Sequence, residues 1–321
     1  MTVMAQAKTH QPVLLEEALA FLHVKEGGTY VDGTAGGGGH SEAIAKAIGP
    51  KGHLVCIDQD LEALNRTRTR LAPFGRRVSF VHDNFRNLKN VMRTQELMSI
   101  DGILLDLGIS SIQLDSGERG FSFNLDGPLD MRLDRSSDDL TAAEIINTTD
   151  ENNLIQILRD NGEVQNARRI VKAIIASRPI YTTKEIARVV EQVTGNAWDR
   201  KKKHPATTVF LALRSIVNGE LDSLRNVLPQ AYGLLGKPTN RYEGGHIVVL
   251  SFHSLEDRIV KQSFALESTN CICPKTLPLC RCEHKATLKR LNKKAIRPTE
   301  SEIAKNPRAR SAILRAAQRI R

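Results

Sequence analysis

The apolar stretch Thr29-Tyr-Val-Asp32 runs directly into Gly33-Thr-Ala-Gly-Gly-Gly-Gly39, and a helical pattern follows from Ser41 to Ile48. A strand that empties into glycines before a helix leaves no side chain to keep a ligand off the backbone. A second strand, His53 to Asp58, ends in a carboxylate 22 residues after Gly36. At that position a carboxylate can accept hydrogen bonds from ribose hydroxyls. A merely flexible turn would need neither the ordered strand nor the second acid. The combination predicts a bound adenosine-containing cofactor.

The glycine spacing alone leaves the cofactor open. A dinucleotide turn wants Gly-x-Gly-x-x-Gly; Gly36 and Gly38 match it, but Ser41 takes the third place. A methyl-donor turn resembles Asp-x-Gly-x-Gly-x-Gly; Asp32, Gly36 and Gly38 match it, with Thr34 in place of the first glycine.

The rest of the first half continues in strand–helix alternation. Pro12–Leu22 is amphipathic, with Glu16 and Glu17 in its first turn, where a helix favours negative charge. Leu61–Leu71 reads as a helix, Val78–Val81 as a strand, Phe85–Gln95 as a helix and Gly102–Asp106 as a fourth strand. Apolar strands separated by helices imply a parallel sheet covered on both faces. The pattern then breaks. Residues 116–135 are loop-like, and 141–218 read as several helices, among them 151–161, 167–177, 183–194 and one beginning near Thr207. A helix over 220–235 and a strand over 246–250 resume the alternation. Ser254 starts a further helix, with Asp257 placed as in a capping box. The expected architecture is a doubly wound α/β domain interrupted after its fourth strand by an all-helical substrate domain, with pieces at 1–114, 115–217 and 218–321.

The net charge of +10 is unevenly placed. Residues 285–321 carry 12 Lys plus Arg against 2 Asp plus Glu, which leaves 34 of each sign in the first 284 residues. Such a block attracts phosphate backbones and releases their counterions, whereas a solvated tail would serve only solubility. Arg200-Lys-Lys-Lys203 is a second basic run suited to phosphates. No apolar run approaches the ~20 residues of a membrane helix, and Met1–Gln11 does not read as a signal peptide, so a cytoplasmic location is expected. Cys56 lies in an apolar strand. Cys271-Ile-Cys273 and Cys280-Arg-Cys282 have one residue inside each pair, where zinc sites usually have two. A loop of reduced thiols, with no metal, is the expectation there.

Longer runs of residues narrow the reading. His10-Gln-Pro-Val-Leu-Leu-Glu16, Asp32-Gly-Thr-Ala-Gly-Gly-Gly-Gly-His40, Asp101-Gly-Ile-Leu-Leu-Asp-Leu-Gly-Ile-Ser-Ser111, Arg119-Gly-Phe-Ser-Phe123, Pro128-Leu-Asp-Met-Arg132, His204-Pro-Ala-Thr207, Ser251-Phe-His-Ser-Leu-Glu-Asp-Arg258 and Asn306-Pro-Arg-Ala-Arg-Ser311 occur in this order across the chain. In these runs it closely resembles the bacterial MraW/RsmH family of small-subunit ribosomal RNA cytosine-N4 methyltransferases. The resemblance implies a Rossmann-like class I methyltransferase sheet, S-adenosyl-L-methionine as cofactor, and 16S rRNA in the small ribosomal subunit as partner. Carried over by position, cofactor-binding residues fall on Gly38, Gly39, His40, Asp58, Phe85, Asp106 and Gln113. Phe85 can pack on adenine, and Asp106 ends a central strand, where open α/β sheets bind ligands. The chain departs from the family pattern at Ile112, Leu211 and Asn161-Gly-Glu-Val164.

Many amino-methyltransferases follow the fourth strand with a polar-Pro-Pro-aromatic motif; Asp106-Leu-Gly-Ile109 has neither the prolines nor the aromatic. Asp106, Ser110 and Ser111 are therefore the candidate catalytic acceptors for the amine, and Phe121 or Phe123 the candidate stacking aromatic. Two other readings share parts of this pattern. One is a nicotinamide-dependent oxidoreductase, which uses a similar turn. The other is a non-catalytic RNA-binding or ribosome-assembly factor.

Overall fold

The computed structural model describes residues 12–195, 204–274, 276–277 and 279–321. In chain order its elements are α1 (Leu15–Leu22), β1 (Thr29–Asp32), α2 (Gly39–Ala47), β2 (His53–Asp58), α3 (Leu61–Leu71), β3 (Val78–His82), α4 (Leu88–Thr94) and β4 (Gly102–Asp106). Helices α5 (Ser111–Asp115), α6 (Ala142–Thr148), α7 (Glu151–Gly162), α8 (Ala167–Ala176), α9 (Thr183–Thr194), α10 (Ala206–Val217) and α11 (Glu220–Leu234) follow. The chain ends with β5 (His246–Ser251), α12 (Ser254–Glu267), β6 (Leu288–Arg290), α13 (Glu300–Lys305) and β7 (Ile313–Arg319). It divides into two compact units, residues 1–108 with 224–321, and residues 109–223.

The first unit is a seven-stranded sheet in the order β3-β2-β1-β4-β5-β7-β6. Strands β1 to β5 run parallel, and β7 and β6 are antiparallel additions. Side chains alternate across a strand, and the core sorts accordingly. The odd-numbered Val31, Val55, Ile57, Ile103, Leu105, Ile247 and Val249 pack in one cluster with α4, α11 and α12 residues such as Met92, Leu228 and Phe264. The even-numbered Tyr30, Leu54, Cys56, Leu104, Val248 and Leu250 pack in another with α1, α2 and α3 residues such as Leu22, Ile44 and Leu64. Both faces are dry, which is why the parallel strands read as continuous apolar runs.

Two readings are corrected here. The alternative of a solvated tail does not hold for the end of the basic block: β7 pairs along the whole of β5, from His246 opposite Gln318 to Ser251 opposite Ile313. Arg315, counted above as phosphate-seeking charge, instead makes a two-pronged ion pair with Asp257, Nε to Oδ1 at 2.6 Å and Nη2 to Oδ2 at 3.0 Å. That pair also explains the second correction. Helix α12 is capped one residue earlier than expected, with His253 as N-cap and the Glu256 carboxylate accepting from the His253 N–H at 3.3 Å and from the Phe252 N–H at 2.8 Å. Asp257 is thereby freed to hold β7.

The second unit is built on one apolar cluster drawn from α6 to α10 and the segment before them, including Leu129, Met131, Leu158, Ile174, Val190 and Leu213. The loop-like stretch 116–135 is closely tied. The buried Arg119 donates to the carbonyls of Arg132 and Leu133. Gly120 has a left-handed φ of 73°, and a Cβ there would lie 2.2 Å from the Pro128 carbonyl oxygen. The basic run Arg200–Lys203 lies outside the described residues.

Candidate active site

The candidate residues of the first unit gather at the carboxyl ends of neighbouring strands. Asp32 ends β1, Asp58 ends β2 and Asp106 ends β4. The strand order reverses between β1 and β4, and open α/β sheets bind ligands outside the strand ends at such a reversal.

The four glycines of the turn serve different ends. Gly36 and Gly38 take left-handed φ angles of 52° and 74°, which side chains resist. A Cβ on Gly39 would lie 2.6 Å from Pro12 Cγ, so this glycine permits close packing. A Cβ on Gly37 would meet no atom of the described residues within 4 Å. Its carbonyl accepts from Arg70 Nη1 at 3.1 Å, which fixes the backbone while the Cβ side stays open. Helix α2 starts at Gly39, and its N-cap, Gly38, offers no side-chain cap to the first-turn N–H groups. Those donors, at the positive end of the helix dipole, suit an anionic group.

Three carboxylates surround this turn. Asp32 is 1% exposed, and it accepts from Ser41 Oγ at 2.5 Å and from the Thr34 N–H at 3.2 Å. Burial raises its pKa above the usual carboxylate value despite those donors. Asp58 accepts from the Gly36 N–H at 2.7 Å and the Asp60 N–H at 2.8 Å, so it shapes the turn directly. Burial pushes its carboxyl up to about 6, against the pull of those two N–H groups. A further donor on Asp58, such as a ribose hydroxyl, would relieve that cost.

His40 and Asp106 form the centre of the site. His40 Nε2 lies 3.0 Å from the Val13 carbonyl oxygen, and Nδ1 lies 3.4 Å from Asp106 Oδ2. A carbonyl only accepts, so Nε2 carries a proton, and a carboxylate opposite Nδ1 calls for a second. The imidazolium satisfies both. Burial opposes that charge, but the Asp106 and Asp32 carboxylates and the Val13 carbonyl outweigh it and raise the His40 pKa above its ordinary value. The Asp106 backbone N–H donates to Thr34 Oγ1 at 2.7 Å. Its Oδ1 is buried and has no hydrogen-bond partner among the described residues. A buried carboxylate oxygen left without a donor is costly, and this one stands ready for an incoming N–H.

The other candidates fall differently. Phe85 is half-buried and packs on the odd-numbered cluster, leaving part of its surface for a ligand. Ser110 and Gln113 belong to the second unit and cap α5 reciprocally: the Gln113 N–H donates to Ser110 Oγ at 3.3 Å, and the Ser110 N–H to Gln113 Oε1 at 2.7 Å. Local structure therefore accounts for this part of their bonding. The Ser111 side chain lies outside the described set. Phe121 is 6% exposed inside the helical unit's core, which removes it as a stacking platform. Phe123 stacks on His204 at 4.7 Å between ring centroids. The four distant cysteines do converge, with all four sulfurs within 4.8 Å of one another. One pair escaped notice in the sequence. His253 and Glu256, 3.0 Å apart, follow the carboxyl end of β5, the strand beside Asp106. The run Ser251-Phe-His-Ser-Leu-Glu256 directly after an apolar strand was the signal.

Comparison with known proteins bears on this arrangement. The model of the MraW methylase family matches residues 7–320. Ribosomal RNA small subunit methyltransferase H of Dehalococcoides mccartyi is 48% identical over 311 residues, covering 97% of this chain and 86% of its own. The protein of the same name from Carboxydothermus hydrogenoformans is 48% identical over 316 residues, covering 97% of this chain and 98% of its own. That from Syntrophotalea carbinolica is 47% identical over 314 residues, with 97% and 98% covered. Matched along nearly its whole length, the chain belongs to the MraW methylase family.

Proposed function

We infer that the chain transfers a methyl group from S-adenosylmethionine to the exocyclic N4 amine of a cytidine in 16S rRNA. Family membership and the near-full-length relatives named as small-subunit rRNA methyltransferases support this reading. The observation that carries its chemistry is the buried Oδ1 of Asp106 at the reversal of the sheet, which has no hydrogen-bond partner among the described residues.

The residues present suit the cofactor. The open side of Gly37 leaves room against the turn, Asp58 suits the ribose, the first-turn N–H groups of α2 suit a carboxylate, and Phe85 suits the adenine. When bound, S-adenosylmethionine supplies a methyl group already activated on a sulfonium. Cytosine's exocyclic nitrogen is a weak nucleophile because its lone pair is delocalised into the ring. Asp106 Oδ1 accepts an N–H from that amine, concentrates electron density on nitrogen and stabilises the positive charge that grows there. His40 is a positioning residue: it holds Oδ2 and leaves Oδ1 to the substrate. The target base must be splayed out of any helix to reach a site of this kind. The helical unit is our candidate for rRNA recognition, and exposed residues such as Lys289, Arg290, Lys293 and Lys294 for phosphate contact.

The direct test gives labelled S-adenosylmethionine and the protein to small ribosomal subunits lacking the modification, then analyses the nucleosides. Label in N4-methylcytidine is expected. Cofactor binding with no label in any nucleoside would move the non-catalytic assembly factor to the front, and binding of a nicotinamide dinucleotide instead would favour the oxidoreductase.

A pH dependence follows from Asp58. Its folded-state pKa, about 6, lies above the ordinary carboxylate value, so the cofactor-free fold gains from its proton at low pH and loses that gain as pH rises through about 6. Hydroxyl donors of a ligand prefer the ionised form. Cofactor affinity should therefore rise with pH, by up to about tenfold per unit below that value, and level off above it. Asp32 and His40 face the same turn, so calorimetry should be run on Asp58→Asn in parallel. The variant should bind more weakly and lose most of the slope; an unaltered slope would assign the linkage to other groups.

A further inference from the structure

We propose that Cys271, Cys273, Cys280 and Cys282 bind one structural Zn²⁺ as a tetrathiolate in the connection between α12 and β6. Their sulfurs all lie within 4.8 Å of one another. Cys280 and Cys282 are separated by 3.6 Å and Cys282 and Cys271 by 3.9 Å. A tetrahedron with Zn–S bonds of ~2.3 Å has edges of about 3.8 Å, so the thiols already stand near the corners that one ion requires.

The backbone supports the same reading. The Ile272 N–H, from inside the first pair, points at Cys282 Sγ of the second at 3.3 Å. The Arg281 N–H, inside the second pair, points at Cys273 Sγ of the first at 3.3 Å. Each pair thus donates a backbone N–H to a sulfur of the other, an arrangement that stabilises negative charge on sulfur and keeps the ligands oriented. One intervening residue in each pair, at first sight against a metal, is what places these donors.

Nothing else described in the loop would gather four thiols. Ile272 is 50% exposed and Leu279 74% exposed, so no apolar cluster lies beneath them. Among the described residues the protein anchors the loop towards its ends: the Thr287 N–H donates to the Glu267 carbonyl at 2.8 Å, the Ala286 N–H to Asn270 Oδ1 at 3.1 Å, and His284 Nε2 lies 3.1 Å from the Leu266 carbonyl oxygen. Contacts between neutral thiols are weak. In short segments without a core, a metal ion is the usual source of order. Four sulfur ligands in tetrahedral array suit zinc, a d10 ion with no redox chemistry that takes this geometry in structural sites. Binding exchanges four thiol protons, released to solvent, for four Zn–S bonds and leaves a net charge of −2 that the adjacent Arg281 and Lys285 side chains offset in part.

The test uses the full-length chain purified without chelator. Elemental analysis should find one zinc per chain, and the Cys280→Ser/Cys282→Ser double variant should lose it. Wild-type protein stripped of metal under reducing conditions and given Co²⁺ should develop the thiolate-to-cobalt charge transfer and intense visible bands of a tetrahedral tetrathiolate. The cobalt spectrum decides the matter even if the double variant does not fold. Purified protein without zinc whose thiols, kept reduced, give no such spectrum with Co²⁺ would overturn the proposal, as would zinc that the double variant retains.

Discussion

Asp106→Asn is expected to lower the turnover of methyl transfer by about 100- to 10,000-fold, the range associated with a positioned general base. The substitution keeps the shape of the side chain and removes its charge. Two consequences follow from the geometry. Oδ1, which has no partner among the described residues, becomes part of a neutral amide that polarises an amine far less. His40 loses the carboxylate that helps hold its second proton, which shifts its pKa downward. The effect should therefore appear in kcat at saturating cofactor and subunit. A cofactor dissociation constant measured by calorimetry should change much less. If instead kcat survives and only cofactor affinity falls, Asp106 is a binding residue and the amine acceptor lies elsewhere. His253, beside the end of the neighbouring strand, would then be the next candidate.

Gly37→Val should abolish cofactor binding while leaving the fold intact. The prediction is unusual for a glycine in a tight turn, where a side chain commonly costs stability. Gly37 is not left-handed, and a Cβ there meets no atom of the described residues within 4 Å. The unfolding temperature should stay within roughly 2 °C of the parent, as for a substitution that breaks no packing. The two methyl groups would stand where the cofactor approaches the backbone. Affinity should fall by at least about 100-fold, or ~2.7 kcal/mol. Gly38→Ala is the contrasting control. It forces a side chain into a left-handed position 3.2 Å from Thr67 and Arg70, so it should lose stability as well as binding. Normal cofactor affinity in Gly37→Val would mean that the ligand sits elsewhere along the sheet edge.

How much of this was readable in the sequence depended on how far each feature relies on neighbours distant in the chain. Strands β1, β2 and β4 appear in the sequence with the boundaries found in the structure, because burial on both faces makes each an uninterrupted apolar run. The turn and its acids were equally legible, since close approach and ribose binding fix residue types at fixed spacings. Strand β7 was not. Ile313-Leu-Arg-Ala-Ala-Gln-Arg319 is rich in arginine and alanine, which favour helix. It is a strand because β5 offers it an edge, and because Asp257, 58 positions away, neutralises Arg315. Helix α5 was missed for a different reason: five residues are too few to show a period, and only its capping box marks it. The sequence offers Ser110 as a catalytic acceptor, and in the structure its hydroxyl also accepts the Gln113 N–H.

Strand β5 is apolar on both faces and fills the place between β4 and β7. Yet β4 ends at Asp106 and β5 begins only at His246. A ribosome adding ~5–20 residues per second makes β4 roughly 7 to 28 s before the strand that covers it. Throughout that interval the nascent chain has every acid of the proposed cofactor site in hand, but also an unpaired sheet edge of Gly-Ile-Leu-Leu-Asp106. Such an edge is a template for pairing with other chains. A gene truncated before His246 should therefore yield aggregates rather than a small cofactor-binding domain, and synthesis of the intact chain should draw on chaperones that shield apolar strands.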